Sequence, residues 1–205
     1  MSWMRTSGRP KGLHYVLAAV VLCAAPALLA RETVNYGAIF EQGISYDAFL
    51  KDVRARRDEW RALSAGAGAM YDIKDPHTQP KRRLLIVTED WCSDSVQTVP
   101  YIHLALKNHP AYTIRIVNST IGRPIMEAHR TPDDRAATPT VVALDERNQF
   151  LGVWVERPAE LQALVLEQQK VRMRREVTEI KTKWYEKDAG RSTVSEVMAL
   201  FAKSR

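Results

Sequence analysis

Trp91-Cys92-Ser93-Asp94-Ser95 is the stretch of this chain whose residue types and spacing could carry chemistry. A cysteine attacks as its thiolate, so it becomes reactive where its surroundings favour that form. The start of a helix is such a place, because unpaired backbone N–H groups and the positive end of the helix dipole face the sulfur. Asp94 opposes this by adding a nearby negative charge. Ser95 stands where a second cysteine would complete a Cys-x-x-Cys pair. Its hydroxyl can stabilise a thiolate by donating a hydrogen bond, but it cannot attack a mixed disulfide. A cysteine so placed can begin thiol–disulfide exchange and needs another molecule to finish it.

The rest of the chain bounds that chemistry. Only two cysteines occur among 205 residues, Cys23 and Cys92. Cys23 falls in an apolar run from about Leu13 to Ala30 that follows Arg5, Arg9 and Lys11, with no acidic residue in the whole segment. Residues 1–30 therefore read as a secretory signal, with small-residue cleavage points after Ala27 or Ala30. An uncleaved signal anchor is the alternative, and only then would the protein meet a membrane. Val21 and Leu22 before Cys23 argue against a lipoprotein cleavage box. The body is expected to be exported, periplasmic or otherwise extracytoplasmic. It then holds a single cysteine, so any disulfide formed by Cys92 is to another molecule.

Removing residues 1–30 leaves 27 basic against 24 acidic residues, a net charge of +3 in place of +6. Arg54-Ala55-Arg56-Arg57 and the stretch from Lys170 to Arg175 are basic but interleaved with acids, and they read as solvated helix faces. No nucleic-acid partner is expected. His77, His103, His109 and His129 show neither an i,i+4 pair nor an HExxH spacing, so no metal is expected. No Gly-rich phosphate loop, GxSxG elbow or calcium loop appears, and no cofactor is expected.

The elements that must position Cys92 follow from periodicity. Ser45 caps a helix over 45–63, which Ala65-Gly66-Ala67-Gly68 stops, and a loop leads to Lys81 through Asp75-Pro76 and Gln79-Pro80. Leu84-Leu85-Ile86-Val87 is a buried strand that ends just before Trp91. A helix over 93–108 follows, kinked at Pro100, then a strand over 112–117 that should pair parallel to the first. A short helix over 123–130 leads to Thr138-Pro139-Thr140. A hairpin of strands 141–144 and 150–155 comes next, with its turn at Asp145-Glu146-Arg147-Asn148. Pro158 opens a long helix that runs to about Lys187, broken by Asp188-Ala189-Gly190. Thr193 with Glu196 reads as the capping box of a last short helix.

The order strand, Trp-Cys-x-x-Ser, kinked helix, strand, helix, Thr-Pro-Thr, hairpin, helix resembles the thioredoxin superfamily over about residues 82–170. Trp91 before Cys92, Pro100 eight positions after it and Pro139 in a cis-proline loop carry the resemblance. Glu89-Asp90-Trp91-Cys92, Gln97 and Arg157-Pro158 resemble a bacterial subgroup in which the second motif cysteine is often absent. The resemblance implies an α/β thioredoxin-like fold: a central mixed sheet of parallel strands plus a C-terminal antiparallel hairpin, flanked by helices. A helical extension over 31–80 would precede a core over 81–170, and a second over 171–205 would follow it.

The resemblance also implies roles. Cys92 and Ser95 would carry the reaction, while Trp91, Thr138 and Pro139 would bind substrate, with Thr138 offering its backbone to an extended partner. Thioredoxins keep a buried acid six residues before the reactive cysteine, where this chain has Ile86, so both the acid and the resolving thiol are missing. The partners would be protein or small-molecule thiols and disulfides. Whether the protein is an enzyme stays open. A monothiol oxidoreductase that needs an external thiol is one reading, and a thioredoxin-fold binding or scaffold module is the other. In the bland reading Cys92 is a packed small apolar residue, Trp91 covers the core edge, and Ser95 stabilises a helical turn. A peroxidatic cysteine lacks its TxxC context, and an iron–sulfur role lacks identifiable cluster ligands.

Overall fold

The computed structural model describes residues 34–66 and 80–202. The signal-segment reading, its cleavage points, Cys23, His77 and most of the loop before Lys81 lie outside the described residues. β1 (Arg82–Val87), β2 (Tyr112–Val117), β3 (Thr140–Asp145) and β4 (Phe150–Val155) form one sheet in the order β2-β1-β3-β4. β1 and β2 are parallel, as the strand–helix–strand spacing requires, while β1–β3 and β3–β4 are antiparallel. This is the mixed sheet of a thioredoxin-like α/β fold. Ile44 exchanges both backbone hydrogen bonds with Ile116, partly covering the exposed edge of β2.

Alternation in the central strands builds two cores. Leu84 and Ile86 of β1 join Val141 and Ala143 of β3 on one face, under α4 (Ser93–Leu106) and α8 (Arg191–Ala202). Leu85, Val87, Val142 and Leu144 point the other way, against Ile39 and Phe40 of α1 (Tyr36–Gln42) and Ile125 and Met126 of α5 (Arg123–Ala128). Both faces are covered, so β1 reads as a continuous apolar block. Periodicity gives no sign of α1; Asn35 caps it, accepting from the Ala38 N–H at 3.0 Å.

Three helix expectations need correction, the first two for a long-range reason. The helix over 45–63 is two helices, α2 (Tyr46–Asp52) and α3 (Arg57–Ala65). The break forms because the Asp90 carboxylate takes the backbone N–H groups of Arg54 and Ala55 at 2.8 and 2.9 Å, and Arg56 turns to φ +50°. The long helix after Pro158 is likewise a hairpin of α6 (Ala159–Gln168) and α7 (Arg174–Asp188). Folding back buries Leu161 and Val165 against Tyr185, which one straight helix could not do. Finally, Thr193 is no cap. Asp188 accepts from the Ser192 N–H and Oγ, so α8 starts earlier and Thr193 is buried inside it. Glu196 instead accepts from Trp154 Nε1 at 2.7 Å and from the Ala159 N–H at 3.0 Å. Gly190 permits the α7–α8 turn: its φ is +77°, and a Cβ there would lie 2.2 Å from Tyr101 Cγ.

Candidate functional site

Cys92 is the N-cap residue of α4, its carbonyl accepting from the Val96 N–H at 3.1 Å. The loop that delivers it is fixed from behind. Glu89 accepts from the Ser119 N–H at 2.7 Å, and the Asp90 carbonyl accepts from Trp60 Nε1 at 2.8 Å. Trp60 is fully buried, so this bond ties the loop to the core. Trp91 is left outside, 62% exposed, with its carbonyl accepting from Arg56 Nε at 3.2 Å.

The free, half-buried thiol of Cys92 donates to the Thr138 carbonyl at 3.2 Å. The Thr138–Pro139 peptide bond is cis. Pro139 is held in turn by its carbonyl, which accepts from the Glu156 N–H at 2.7 Å. Cys92 and Thr138, 46 residues apart in the chain, thus meet at one point beside Pro139, and Trp91 borders it. Ser95 does not join them through a hydrogen bond. Its hydroxyl is fully buried and has no partner, so the bond expected from it to Cys92 is not made. The cysteine is engaged with Thr138, and Ser95 sits in the first turn of α4 on its buried side.

A cluster of charge lies directly behind the thiol. Asp94 is 5% exposed, yet it accepts from Tyr185 Oη at 2.8 Å, Lys181 Nζ at 2.9 Å and Arg157 Nη2 at 3.3 Å. Arg157 also pairs with Glu156 at 2.5 Å, and Glu156 receives a two-point contact from Arg135 at 2.8 and 3.0 Å. Arg135 holds the Asp133 carboxyl down at about 2 through its hydrogen bond. Burial, then the charge of Asp94, pushes the Tyr185 phenol well above its ordinary range. Asp94 is therefore neutralised by two cations and a phenol hydroxyl from other elements, and it does not act as the isolated negative charge that its position beside Cys92 suggests.

In front of the thiol is an open cleft of about 720 Å³, walled by the Trp91–Asp94 segment, the Arg135–Thr138 loop, Glu156, Arg157 and the α6–α7 hairpin. No group of three His, Cys, Asp or Glu side chains able to hold a metal occurs among the described residues.

A sequence profile described as thioredoxin matches residues 43–189, more than two thirds of the chain. The chain belongs to the thioredoxin family. Two solved structures share the fold. One is a protein of unknown function from Pseudomonas aeruginosa, with a TM-score of 0.63 and 18% identity, which covers 84% of this chain and 100% of its own. The other is an HIV epitope scaffold, with a TM-score of 0.61, 19% identity and the same coverage. No curated protein matches the sequence.

Within that family frame, Ile86 is fully buried on β1 and supplies no proton. Tyr185 and Lys181 had no signal in local spacing, since they reach Asp94 across 91 and 87 residues. Arg157 stood out in the sequence only through the Arg157-Pro158 pair. The stretch from Lys170 to Arg175 is exposed, in keeping with a solvated face, and within it Arg172 and Arg174 border the cleft.

Proposed function

We propose that this thioredoxin family member uses Cys92 as a one-thiol exchange centre, forming mixed disulfides with protein or small-molecule partners. The observation that carries the reading is the Cys92 thiol at the start of α4, 3.2 Å from the Thr138 carbonyl and open to the cleft. The Cys92 thiolate attacks one sulfur of a partner disulfide. The new Cys92–partner bond forms, the old S–S bond breaks, and the departing thiolate takes up the proton that Cys92 gave up. An external thiolate then attacks the partner sulfur of the mixed disulfide, forming a new S–S bond and releasing Cys92 as its thiolate, a step that the Ser95 hydroxyl cannot perform. Trp91, Thr138 and Pro139 would form the docking surface. Export is part of the same proposal, resting on the apolar N-terminal segment and on the single cysteine that follows it. Incubating the folded protein with glutathione disulfide and weighing it intact tests the chemistry. With the N-terminal segment and its Cys23 removed, one adduct is expected, absent in Cys92→Ala, and a folded protein that takes up nothing would sink the reading.

A binding role without turnover is favoured by one observation, the 62% exposed Trp91 beside a cleft whose second motif position is a buried serine. In that case Cys92→Ala leaves function in cells intact, whereas an exchange centre loses it.

A further inference from the structure

The lining of the cleft in front of Cys92 is rich in cations. Arg56, Arg135, Arg157, Arg172, Arg174 and Lys181 line it against two carboxylates, Asp94 and Glu156. The cations arrive from three separate regions: the α2–α3 junction, the loops before β3 and after β4, and the α6–α7 hairpin. Both carboxylates lie behind the cleft surface, at most 5% exposed, and are fully engaged with Lys181, Arg157 and Arg135. The open side is less satisfied. Arg174 makes no ion pair among the described residues, and Arg172 reaches Glu176 only at 3.5 Å, with both side chains nearly half exposed. Arg157, with a side chain only 6% exposed, leaves Nε and Nη1 without a partner. Arg56 is paired with Glu59 and Arg135 also with Asp133, so the unbalanced charge lies on the open side, on Arg174, the loosely held Arg172 and the unfilled donors of Arg157, and it draws anions toward the thiol.

Building on the exchange reading above, we infer that the cleft selects partners whose reactive sulfur is flanked by carboxylates. The carboxylates pair with Arg172 and Arg174 at the rim while the sulfur reaches Cys92. The exchange step is unchanged: Cys92 gains a bond to one partner sulfur, and the other leaves as a thiol that carries its own acidic group out of the cleft. A small acidic thiol and an acidic segment around a protein cysteine share this chemistry.

The test measures adduct formation on the reductant-free protein freed of its N-terminal segment, which leaves Cys92 as the one cysteine, with three small disulfides: dithiodipropionate, which is anionic, hydroxyethyl disulfide, which is neutral, and cystamine, which is cationic. Each rate is divided by the rate of the same protein unfolded in urea, which removes the intrinsic reactivity of the reagent. Dithiodipropionate is expected to outpace cystamine by about tenfold or more at low salt, the scale of electrostatic focusing, with the gap closing at high salt. Arg172→Ser with Arg174→Ser, both exposed positions, should shrink the same gap. A parallel pair of peptide disulfides, one flanked by Asp and Glu and one by Lys, separates the sources. Discrimination by peptides alone supports selection of a protein segment, and discrimination among the small reagents supports a small thiol. Equal normalised rates throughout, each with a Cys92 adduct, would overturn the charge selection and leave the exchange reading standing. No adduct with any reagent would overturn both.

Discussion

Asp94→Asn should destabilise the fold by about 2–3 kcal/mol and loosen α7 first. The substitution keeps the shape, and the new amide oxygen can still accept from Tyr185, but the charge that faces Lys181 and Arg157 is gone. Lys181 has a side chain 14% exposed and can turn toward water, so little of the loss falls on it. Arg157, with a 6% exposed side chain, cannot. Stripping the partner from a buried charge costs about 3–5 kcal/mol, and here Glu156 remains as a second partner at 2.5 Å, which sets the lower figure. For a domain of this size the change corresponds to a fall in Tm of about 5–10 °C. Urea denaturation of the two proteins measures it. Tyr185→Phe, which removes the 2.8 Å hydrogen bond to the same carboxylate, should couple to Asp94→Asn by about 1 kcal/mol in a double-mutant cycle. Hydrogen exchange in α7 should quicken before that in β1, because the contacts of Lys181 and Tyr185 with Asp94 tie α7 to α4. A loss below about 0.5 kcal/mol, or additive effects of the two substitutions, would refute the view of Asp94 as the anchor of α7.

Three further outcomes are expected. Burial lowers the pKa of His103, which stacks on Tyr46 at 4.1 Å, so the folded state binds its proton later than the unfolded chain does. Its stabilisation is complete above about pH 6.5 and is lost as pH falls from there through the lowered folded value; unfolding curves of His103→Gln should show a flatter decline between about pH 7 and pH 5, and an unchanged slope would contradict this. Gly122→Ala places a Cβ 2.4 and 2.5 Å from the two Val87 methyls, which are fully buried, so thermal melting should show a loss of about 1–3 kcal/mol. Asp90→Ala leaves the Arg54 and Ala55 N–H groups without their acceptor, and a loss of about 1–2 kcal/mol with faster proteolysis near the α2–α3 junction should follow. Intact stability there would mean water replaces the carboxylate.

The fold was largely legible because its signals are local. The apolar block Leu84–Val87, the Pro158 start and the hairpin turn at Asp145–Asn148 each reflect a preference that acts within a few residues. Two of the failures share one cause: Asp90 and Tyr185 each act on a segment far away in the chain, and each marks a helix end that periodicity alone extends. The start of α8 is set locally, by Asp188 capping Ser192. Helical pattern reports which face can be buried, not where another element will claim a backbone N–H group.

The same division holds for the site. Residue order by itself determined that a cysteine would cap a helix after a buried strand, that Ser95 would follow where a resolving thiol could stand, and that Ile86 would bring no acid. Those are matters of covalent identity, which folding does not alter. The tertiary structure decided what surrounds the sulfur. Spacing suggested that Asp94 would burden Cys92 with its charge and that Ser95 would offer it a hydrogen bond. In the folded chain Lys181, Arg157 and Tyr185 take the charge, Thr138 takes the thiol, and Ser95 is left without a partner. Electrostatic effects depend on distances in space and on burial, and these exist only once α7 has folded back over the start of α4.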